Sequence, residues 1–226
     1  MKRFFKFALF LFIVTVFYST NASADVVLTF DQDGISNFAP IDQDYGDRVV
    51  SSPDSNGHAY DLVPASELFT PNVEVEYSAG GSGLALWTTG YGDLTNVLFA
   101  DNFATELKIE LTADSGFEVG LSGFDLAAFG SDLAVGDIEV LDGSDNVLWS
   151  AGPTTTLSST TRNSFDTSGI FADSLSIVID LDGLGGNADS AGIDNIQFSQ
   201  RSAVPEPTGA SILLLGLIGL ISRRQR

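Results

Sequence analysis

Apolar and polar residues alternate along the middle of the chain in short segments that are separated by turns. Val73, Val75 and Tyr77 alternate with Glu74 and Glu76. The same alternation recurs at residues 107–111, 117–121, 124–128, 138–140, 175–179 and 196–198. Successive side chains of a strand point to opposite faces, so each segment predicts a strand with one buried face and one wet face. Together the segments predict antiparallel sheets that pack face to face.

Glycine-rich and aspartate-rich turns divide these predicted strands. Residues 142–146 (DGSDN) predict a hairpin loop, and residues 80–83 (GGSG) predict a second turn. Residues 31–71 are poorly patterned, and we expect a loop region there that includes some strand. About ten strands are expected, with no helical stretch between the two ends. The predicted fold class is therefore all-β: a single antiparallel β-sandwich, jelly-roll-like, over residues 25–203.

The first 24 residues have the three parts of a secretory signal peptide. A basic stretch with Lys2, Arg3 and Lys6 precedes an apolar run over residues 7–18. Ala22 and Ala24 then stand at the positions that a signal peptidase reads, so we expect a signal helix that is cleaved before Asp25. The alternative is an uncleaved membrane anchor, for which the apolar run is short.

The C-terminal segment, residues 204–226, also has three parts. The motif Pro205-Glu206-Pro207 precedes an apolar run over residues 210–221, and Arg223, Arg224 and Arg226 close the chain. The run predicts a short transmembrane helix, and the arginines after it favour a cytoplasmic C-terminus. The preceding domain then lies on the other side of the inner membrane.

This tripartite tail resembles the PEP-CTERM sorting signal of Gram-negative bacteria. The resemblance covers only residues 204–226, and it implies recognition and processing by an exosortase, a membrane-embedded transpeptidase of species that make extracellular polysaccharide. The protein would be anchored in the inner membrane before processing, and would then reach the cell surface or the extracellular matrix. A plain tail anchor after a proline-rich linker is the alternative. Neither reading assigns an activity to residues 25–203.

Charge and composition exclude several classes of function. The chain has 10 Lys and Arg residues against 30 Asp and Glu residues, a formal net charge of -20. Only four of the basic residues, but 29 of the acids, lie within residues 25–203. Such a domain repels a polyanion, so nucleic acid is not an expected partner. The absence of cysteine excludes disulfides, thiolate zinc sites and cysteine nucleophiles. The acids indicate either a solvated surface or specific calcium binding.

Three segments place aspartates close to glycine or asparagine, as calcium-binding loops do. None of them completes an EF-hand, since the required glutamate is missing. The segments around residues 28–31 and 192–198 resemble the opening and closing strands of galactose-binding-like and carbohydrate-binding jelly rolls. The resemblance implies that these strands pair beside a structural Ca²⁺. The candidate ligands are Asp31, Asp33, Asp194 and Asn195, with Asp180, Asp182 and Asp189 as weaker candidates. The alternative is ordinary turn chemistry.

Aromatic residues in a glycine-rich stretch predict a sugar-binding site. Trp87, Tyr91 and Asp93 lie close together in sequence and combine stacking surfaces with a hydrogen-bonding group. Burial of Trp87 in a core is the competing interpretation. No pair of carboxylates is marked out for glycosidic chemistry, and the single histidine, His58, is expected to be exposed in a loop. We therefore expect no catalytic residues and no enzymatic activity.

The sequence thus predicts an exported, exosortase-processed protein of the cell surface or matrix. Its β-sandwich is expected to bind polysaccharide or partner proteins, with calcium as a structural ion. One alternative is a structural, acidic biofilm-matrix protein without a defined sugar site. Another is a secreted glycoside hydrolase.

Overall fold

The computed structural model describes residues 25–32, 35–63 and 69–203. The predicted signal and sorting segments, residues 1–24 and 204–226, lie outside the described residues. So do Asp33 and the residues assigned to cleavage and sorting: Ala22, Ala24, Pro205, Glu206, Pro207, Arg223, Arg224 and Arg226. Within the described ranges no helix is long and apolar enough to cross a membrane.

Fourteen strands and one short 3-10 helix, Gly185–Ser190, make up the regular structure of the described residues. The strands are β1 (Asp25–Leu28), β2 (Asp61–Val63), β3 (Val73–Ala79), β4 (Leu84–Trp87), β5 (Val97–Ala100), β6 (Glu106–Ala113), β7 (Phe117–Ala128), β8 (Leu133–Val135), β9 (Ile138–Asp142), β10 (Val147–Ser150), β11 (Thr155–Leu157), β12 (Asn163–Ala172), β13 (Ser174–Asp180) and β14 (Ala191–Ser202).

The strands form two main sheets, and every pairing in them is antiparallel. The large sheet has the order β12-β7-β14-β1-β2, with β5 also paired to β14 and β4 paired to β5. The second sheet has the order β10-β9-β13-β6-β3, and β8 and β11 form a small separate ribbon. The all-β, antiparallel prediction is confirmed. The expected pairing of the first and last strands is also confirmed, with Val26 opposite Phe198.

The two main sheets share one apolar core, and the alternation in the sequence explains which side chains enter it. Val73, Val75 and Tyr77 of β3 are buried, while Glu74 and Glu76 are exposed. Residues of β6, β7, β13 and β14 join them in a single cluster. Burying a side chain of this size stabilises a fold by about 1.5–3 kcal/mol. The result is a sandwich-like arrangement in which polar positions face outward.

The segment of residues 35–60 is irregular, as its poor patterning predicted, but it is well packed. The prediction that His58 is exposed is wrong, since only 7% of its surface is accessible. Its ring packs edge-on against Tyr45, and its Nδ1 lies 3.1 Å from the Asp54 carboxylate. Tyr60 also donates a hydrogen bond from its hydroxyl to Asp54, at 2.9 Å. The buried polar groups of His58 and Tyr60 are therefore hydrogen-bonded inside the fold.

Candidate functional site

A loop covers part of the outer face of the large sheet. This lid loop, residues 88–96, connects β4 to β5 and closes a small second apolar cluster. Ala127 of β7 lies in that cluster, whereas its neighbours Leu126 and Ala128 belong to the main core on the other face. The lid packs closely because Gly192 has no side chain: a Cβ there would lie 2.7 Å from the Tyr91 ring. The lid loop therefore divides the outer face into two accessible regions.

The three sugar-site candidates occupy different environments around this lid. Trp87 is half-buried at the end of β4, and Asp93 is exposed in the lid. Asp93 accepts a hydrogen bond of 2.6 Å from the backbone N–H of Arg162. Tyr91 is buried under the lid and donates its hydroxyl to the carbonyl oxygen of Asp189. Burial raises the pKa of Tyr91, so it stays a neutral hydrogen-bond donor.

Trp87 belongs to a partly exposed group of aromatic rings that we name the aromatic platform: Phe38, Trp87 and Phe129. The ring centroids of Phe38 and Trp87 are 4.9 Å apart, and those of Trp87 and Phe129 are 5.6 Å apart. Phe38 is 65% exposed and Phe129 is 42% exposed. A recess of about 80 Å³ between them is also lined by Tyr91, Phe99 and Asp189. Sequence reasoning missed the two phenylalanines, because no pattern distinguishes an exposed ring from a buried one.

A second feature is the acidic junction, where β1 ends and β5 begins along the same edge of β14. Asp31 follows β1 and accepts a hydrogen bond of 2.5 Å from the Nδ2 of Asn96, which precedes β5. Strand β14 pairs with β5 at Ile193 and with β1 from Ile196. Between these pairings its register against β7 shifts, and Asn195 takes a φ of 52°. Such a bulge re-aims side chains at the position where it occurs.

Asp194 is the most unusual residue of the acidic junction, with 3% of its surface accessible. Burial raises its pKa to about 9. The carboxylates of Asp31 and Asp125 act in the same direction, against the charge of Arg162 and a 2.7 Å hydrogen bond from the backbone N–H of Asn195. Asp125 lies directly opposite Asp194 in the register of β7 and β14. Since like charges face one another across the strands, an ionised Asp194 is costly unless a cation offsets it.

The fold thus brings Asp31, Asp194 and Asn195 to one junction. It does not gather a larger ligand set, because the described residues contain no group of three or more acidic, histidine or cysteine side chains arranged to hold a metal ion. The weaker candidates lie in other contexts. Asp180 accepts a hydrogen bond from the backbone of Asp182 at 2.8 Å, as in an ordinary turn, and Asp189 lines the recess of the aromatic platform.

A third feature, the sheet cleft, lies on the outer face of the large sheet and has a volume of about 580 Å³. Five strands contribute to it: β2, β1, β14, β7 and β12. Small residues, polar side chains and two phenylalanine rings form its lining. The residues that line it are Val27, Asp61, Ser122, Gly123, Phe124, Asp125, Ser164, Phe165, Asp166, Asn195 and Gln197. The sequence did not indicate this cleft, since its residues come from strands that are distant along the chain.

All four basic residues between positions 25 and 203 form ion pairs in the structure. Lys108 lies 2.8 Å from Glu110, and Arg201 lies 2.5 Å from Glu118. Arg48 bridges Glu74 and Asp114 at 2.7 and 2.6 Å, and Arg162 lies between Asp93 and Asp125 at 3.9 and 3.4 Å. The remaining acids have no basic side chain to neutralise them within the described part of the chain. Its surface is therefore strongly negative.

Comparison with known proteins adds little to this picture. No family model and no curated protein matches the chain. Among solved structures, the chain is similar to an arabinose-bound GH51 α-L-arabinofuranosidase, with a TM-score of 0.34 and 13% identity over 77% of this chain. It spans only 26% of that enzyme.

Two structures of a cyclase from Fischerella sp. TAU are also similar to the chain. The one in complex with 4-(1H-indol-3-yl)butan-2-one has a TM-score of 0.36 and 15% identity, over 78% of this chain and 96% of the cyclase. The other has a TM-score of 0.32 and 16% identity, over 80% and 99%. At these values the likeness carries no information on activity in either direction.

Proposed function

We propose that this protein is an exported, exosortase-processed protein of the cell surface or extracellular matrix whose β-sandwich binds polysaccharide through the aromatic platform. The observation that carries the binding function is the exposure of Phe38 and Phe129 beside Trp87. Clustered aromatic rings at a surface are costly to hydrate, and they offer flat apolar faces to the C–H face of a sugar ring. Asp189 at the recess adds an acceptor for sugar hydroxyls.

Export and sorting rest on the sequence of the two ends. The signal peptidase and the exosortase are the proposed processing partners, and the inner membrane holds the precursor through the C-terminal segment. The jelly-roll-like classification of the sandwich is supported by the pairing of β1 with β14, which joins the first and last strands.

The binding function predicts that loss of one platform ring weakens retention by a polysaccharide. We expect the full-length chain, kept in a detergent without a sugar headgroup, to be retarded in native gels that contain a neutral glycan: laminarin, mannan, galactan or hydroxyethyl cellulose. Phe38→Ala removes the most exposed platform ring and is expected to weaken the retarding affinity about tenfold.

Phe103→Ala is the matched control, because Phe103 is 73% exposed and is not part of the platform. Equal retardation of wild type and Phe38→Ala would contradict the platform as a binding surface. Retardation by none of the four glycans would contradict polysaccharide binding itself, and binding to a matrix protein would then take its place.

We also propose that Ca²⁺ binds at the acidic junction and stabilises the fold. Asp31 and Asp194 supply carboxylates and Asn195 supplies an amide oxygen, with backbone carbonyls and water completing the shell that calcium prefers. The support is electrostatic: Asp194 is buried beside other carboxylates, and the positive charge of Arg162 offsets their repulsion only in part, so a further cation favours its ionised form. When bound, the ion would tie the end of β1 to the bulge in β14.

Thermal unfolding with CaCl₂, MgCl₂ or a chelator at matched ionic strength measures this effect. At a hundred times its dissociation constant, calcium is expected to stabilise the wild-type protein by about 2.7 kcal/mol. Asp194→Asn keeps an acceptor for the backbone of Asn195 but removes the charge, and is expected to abolish the calcium response. Asp182→Asn, in an exposed turn, is the control. Equal stabilisation by both salts, or a calcium response that persists in Asp194→Asn, would argue against the site.

A purely structural role in an acidic matrix is the second candidate. The observation that favours it is the pairing of every basic side chain in the described residues, which leaves a large excess of acids. Such a surface binds cations diffusely and retains water. The glycan gels separate the two candidates, because a hydrating matrix component without a sugar site is not retarded by neutral glycans.

A further inference from the structure

We infer that the sheet cleft and the aromatic platform form one bipartite site for a linear, uncharged glycan. The inference rests on the proposed function, which concerns the platform alone. It adds the substrate class, a chain several sugars long without acidic groups, and a second contact region on the same face of the large sheet.

The geometry of β7 connects the two regions. Gly123 and Asp125 line the sheet cleft, Ala127 lies beneath the lid loop, and Phe129 belongs to the aromatic platform. These residues occupy alternate positions, so they share the outer face, while Leu126 and Ala128 between them enter the main core. Phe124 packs in the main core and also borders the cleft. At about 3.3 Å per residue, Gly123 and Phe129 are about 20 Å apart. This separation exceeds the length of a disaccharide, so only a longer chain reaches both regions.

The cleft offers many hydrogen-bonding groups, beside Val27 and the rings of Phe124 and Phe165 in its lining. It crosses five strands, a width of about 19 Å at the usual strand spacing. Asp61 of β2 and Asp166 of β12 stand at opposite ends of it, with Asp125, Asn195 and Gln197 between them. Carboxylates accept strong, charge-assisted hydrogen bonds from hydroxyl groups, and side-chain amides both donate and accept them. The cleft therefore complements the aromatic platform, which contributes apolar contact.

Arg162 lies where the two regions meet. Its guanidinium is between Asp93 of the lid loop and Asp125 of the cleft, and its side chain remains 46% exposed. It thus presents donor groups to a chain that crosses from the cleft to the platform. Arg162 borders the cleft through Asp125, but no arginine or lysine is among the described residues that line the cleft or the recess of the platform.

The charge of the surface decides which glycans fit. The lining of the cleft includes three aspartates and no basic residue. A polyuronate or a phosphorylated glycan brings carboxylates or phosphates against these aspartates and is repelled. A neutral chain meets no such penalty and places hydroxyl groups beside the same carboxylates.

The test compares disaccharides with hexasaccharides of the laminari-, manno- and cello- series, titrated against the full-length chain by calorimetry in the detergent used above. A chain that contacts both regions gains avidity, so wild type is expected to bind one hexasaccharide at least about tenfold more tightly than its disaccharide. Ser164→Trp fills the cleft from an exposed position of β12. It is expected to reduce hexasaccharide affinity to the level of the disaccharide and to leave disaccharide binding unchanged. Thr112→Trp, exposed on the second sheet, is the control.

Phe38→Ala is expected to weaken both ligands, because both use the platform. If hexasaccharides bind no more tightly than disaccharides, or if Ser164→Trp binds hexasaccharides as wild type does, the bipartite site is wrong while the platform stands. If no oligosaccharide binds and no polymer gel retards the protein, the proposed function fails together with the inference. Binding of an alginate hexasaccharide in chelator as tightly as a neutral one would overturn the requirement for an uncharged chain.

Discussion

At the scale of single residues, the polar groups of the segment 35–60 show how one carboxylate organises a loop. Asp54 accepts hydrogen bonds from the backbone N–H groups of Asn56 and His58, at 2.8 and 2.9 Å, and from the hydroxyl of Tyr60. His58 also lies 3.4 Å from Asp42 through its Nε2. Burial acts to raise the pKa of Asp54, but these hydrogen bonds outweigh it and lower the pKa below the usual value. The ionised carboxylate therefore stabilises this segment.

Removal of that carboxylate is expected to destabilise the protein. Asp54→Ala leaves the hydroxyl of Tyr60 and the ring of His58 without their partner, a loss of about 2 kcal/mol in the free energy of unfolding. Because the pKa of Asp54 is lower in the folded than in the unfolded chain, its contribution is complete above about pH 4 and disappears on further acidification. Urea unfolding at several pH values measures both effects.

Asp44→Ala, at an exposed position of the same segment, is the control for the loss of one negative charge. A stability difference between wild type and Asp54→Ala that stays constant down to low pH would contradict the role of the ionised carboxylate. Equal stabilities of wild type and Asp54→Ala at neutral pH would also contradict this role.

At the scale of elements, the lid loop borders the aromatic platform, because its Tyr91 lines the recess of the platform. It is held by apolar packing of Tyr91 and Leu94 against side chains of β4, β5 and β7. The approach to β14 is close: a Cβ at Gly192 would lie 2.7 Å from the Tyr91 ring, so the loop depends on the absence of a side chain at that position. The same Tyr91 ring lies 5.3 Å from the ring of Phe129, which couples the loop to the platform.

The coupling predicts that Gly192→Ala displaces the lid. The new Cβ would lie 2.7 Å from both the Tyr91 ring and a methyl group of Val97, and both side chains are packed. Overpacking of this kind lowers the free energy of unfolding by about 1–3 kcal/mol, which urea unfolding measures. The displaced lid should also weaken retardation in the glycan gels. Gly186→Ala is the control, since its Cβ would meet only the edge of Phe103 at 3.9 Å. Unchanged stability and retardation in Gly192→Ala would show that the lid is not held by this contact.

At the scale of the whole molecule, net charge opposes the compact state. The chain carries a formal charge of -20, and the basic residues of the described part are already paired. The remaining carboxylates repel one another. Salt screens this repulsion at separations beyond the Debye length, which is about 10 Å at 0.1 M ionic strength. The stability of this fold therefore depends on ionic strength more than that of a protein whose positive and negative surface charges balance.

The melting temperature is accordingly expected to rise as NaCl is added to a low-salt buffer that contains chelator, because screening relieves the repulsion. KCl should act equally, since the effect is not specific to the ion. Calcium at the same ionic strength should add a further increase if the acidic junction binds it. A melting temperature that falls or stays constant with NaCl would show that the surface charge does not limit stability.

Much of the fold was predictable because strands are local patterns. The alternation in β3 and β6, and the turn at residues 142–146, depend on neighbours in sequence, and the structure confirms them. The turn at residues 80–83 is also present, but it joins β3 of the second sheet to β4 of the large sheet. Fourteen strands replace the expected ten or so, since short pieces such as β2, β8 and β11 lack a readable alternation.

The sequence by itself determined the all-β class, the net charge and the candidate segments at the two ends, because each depends on composition or on local order. Only the tertiary structure decided which side chains meet. It buried His58 and Tyr91, exposed Phe38 beside Trp87, and brought Asp31 and Asp194 to one junction. The sheet cleft was decided in the same way, by the order of five strands that are distant in the chain. Local patterns specify which face of a strand is buried, but neighbours across a sheet are set by packing of the whole domain.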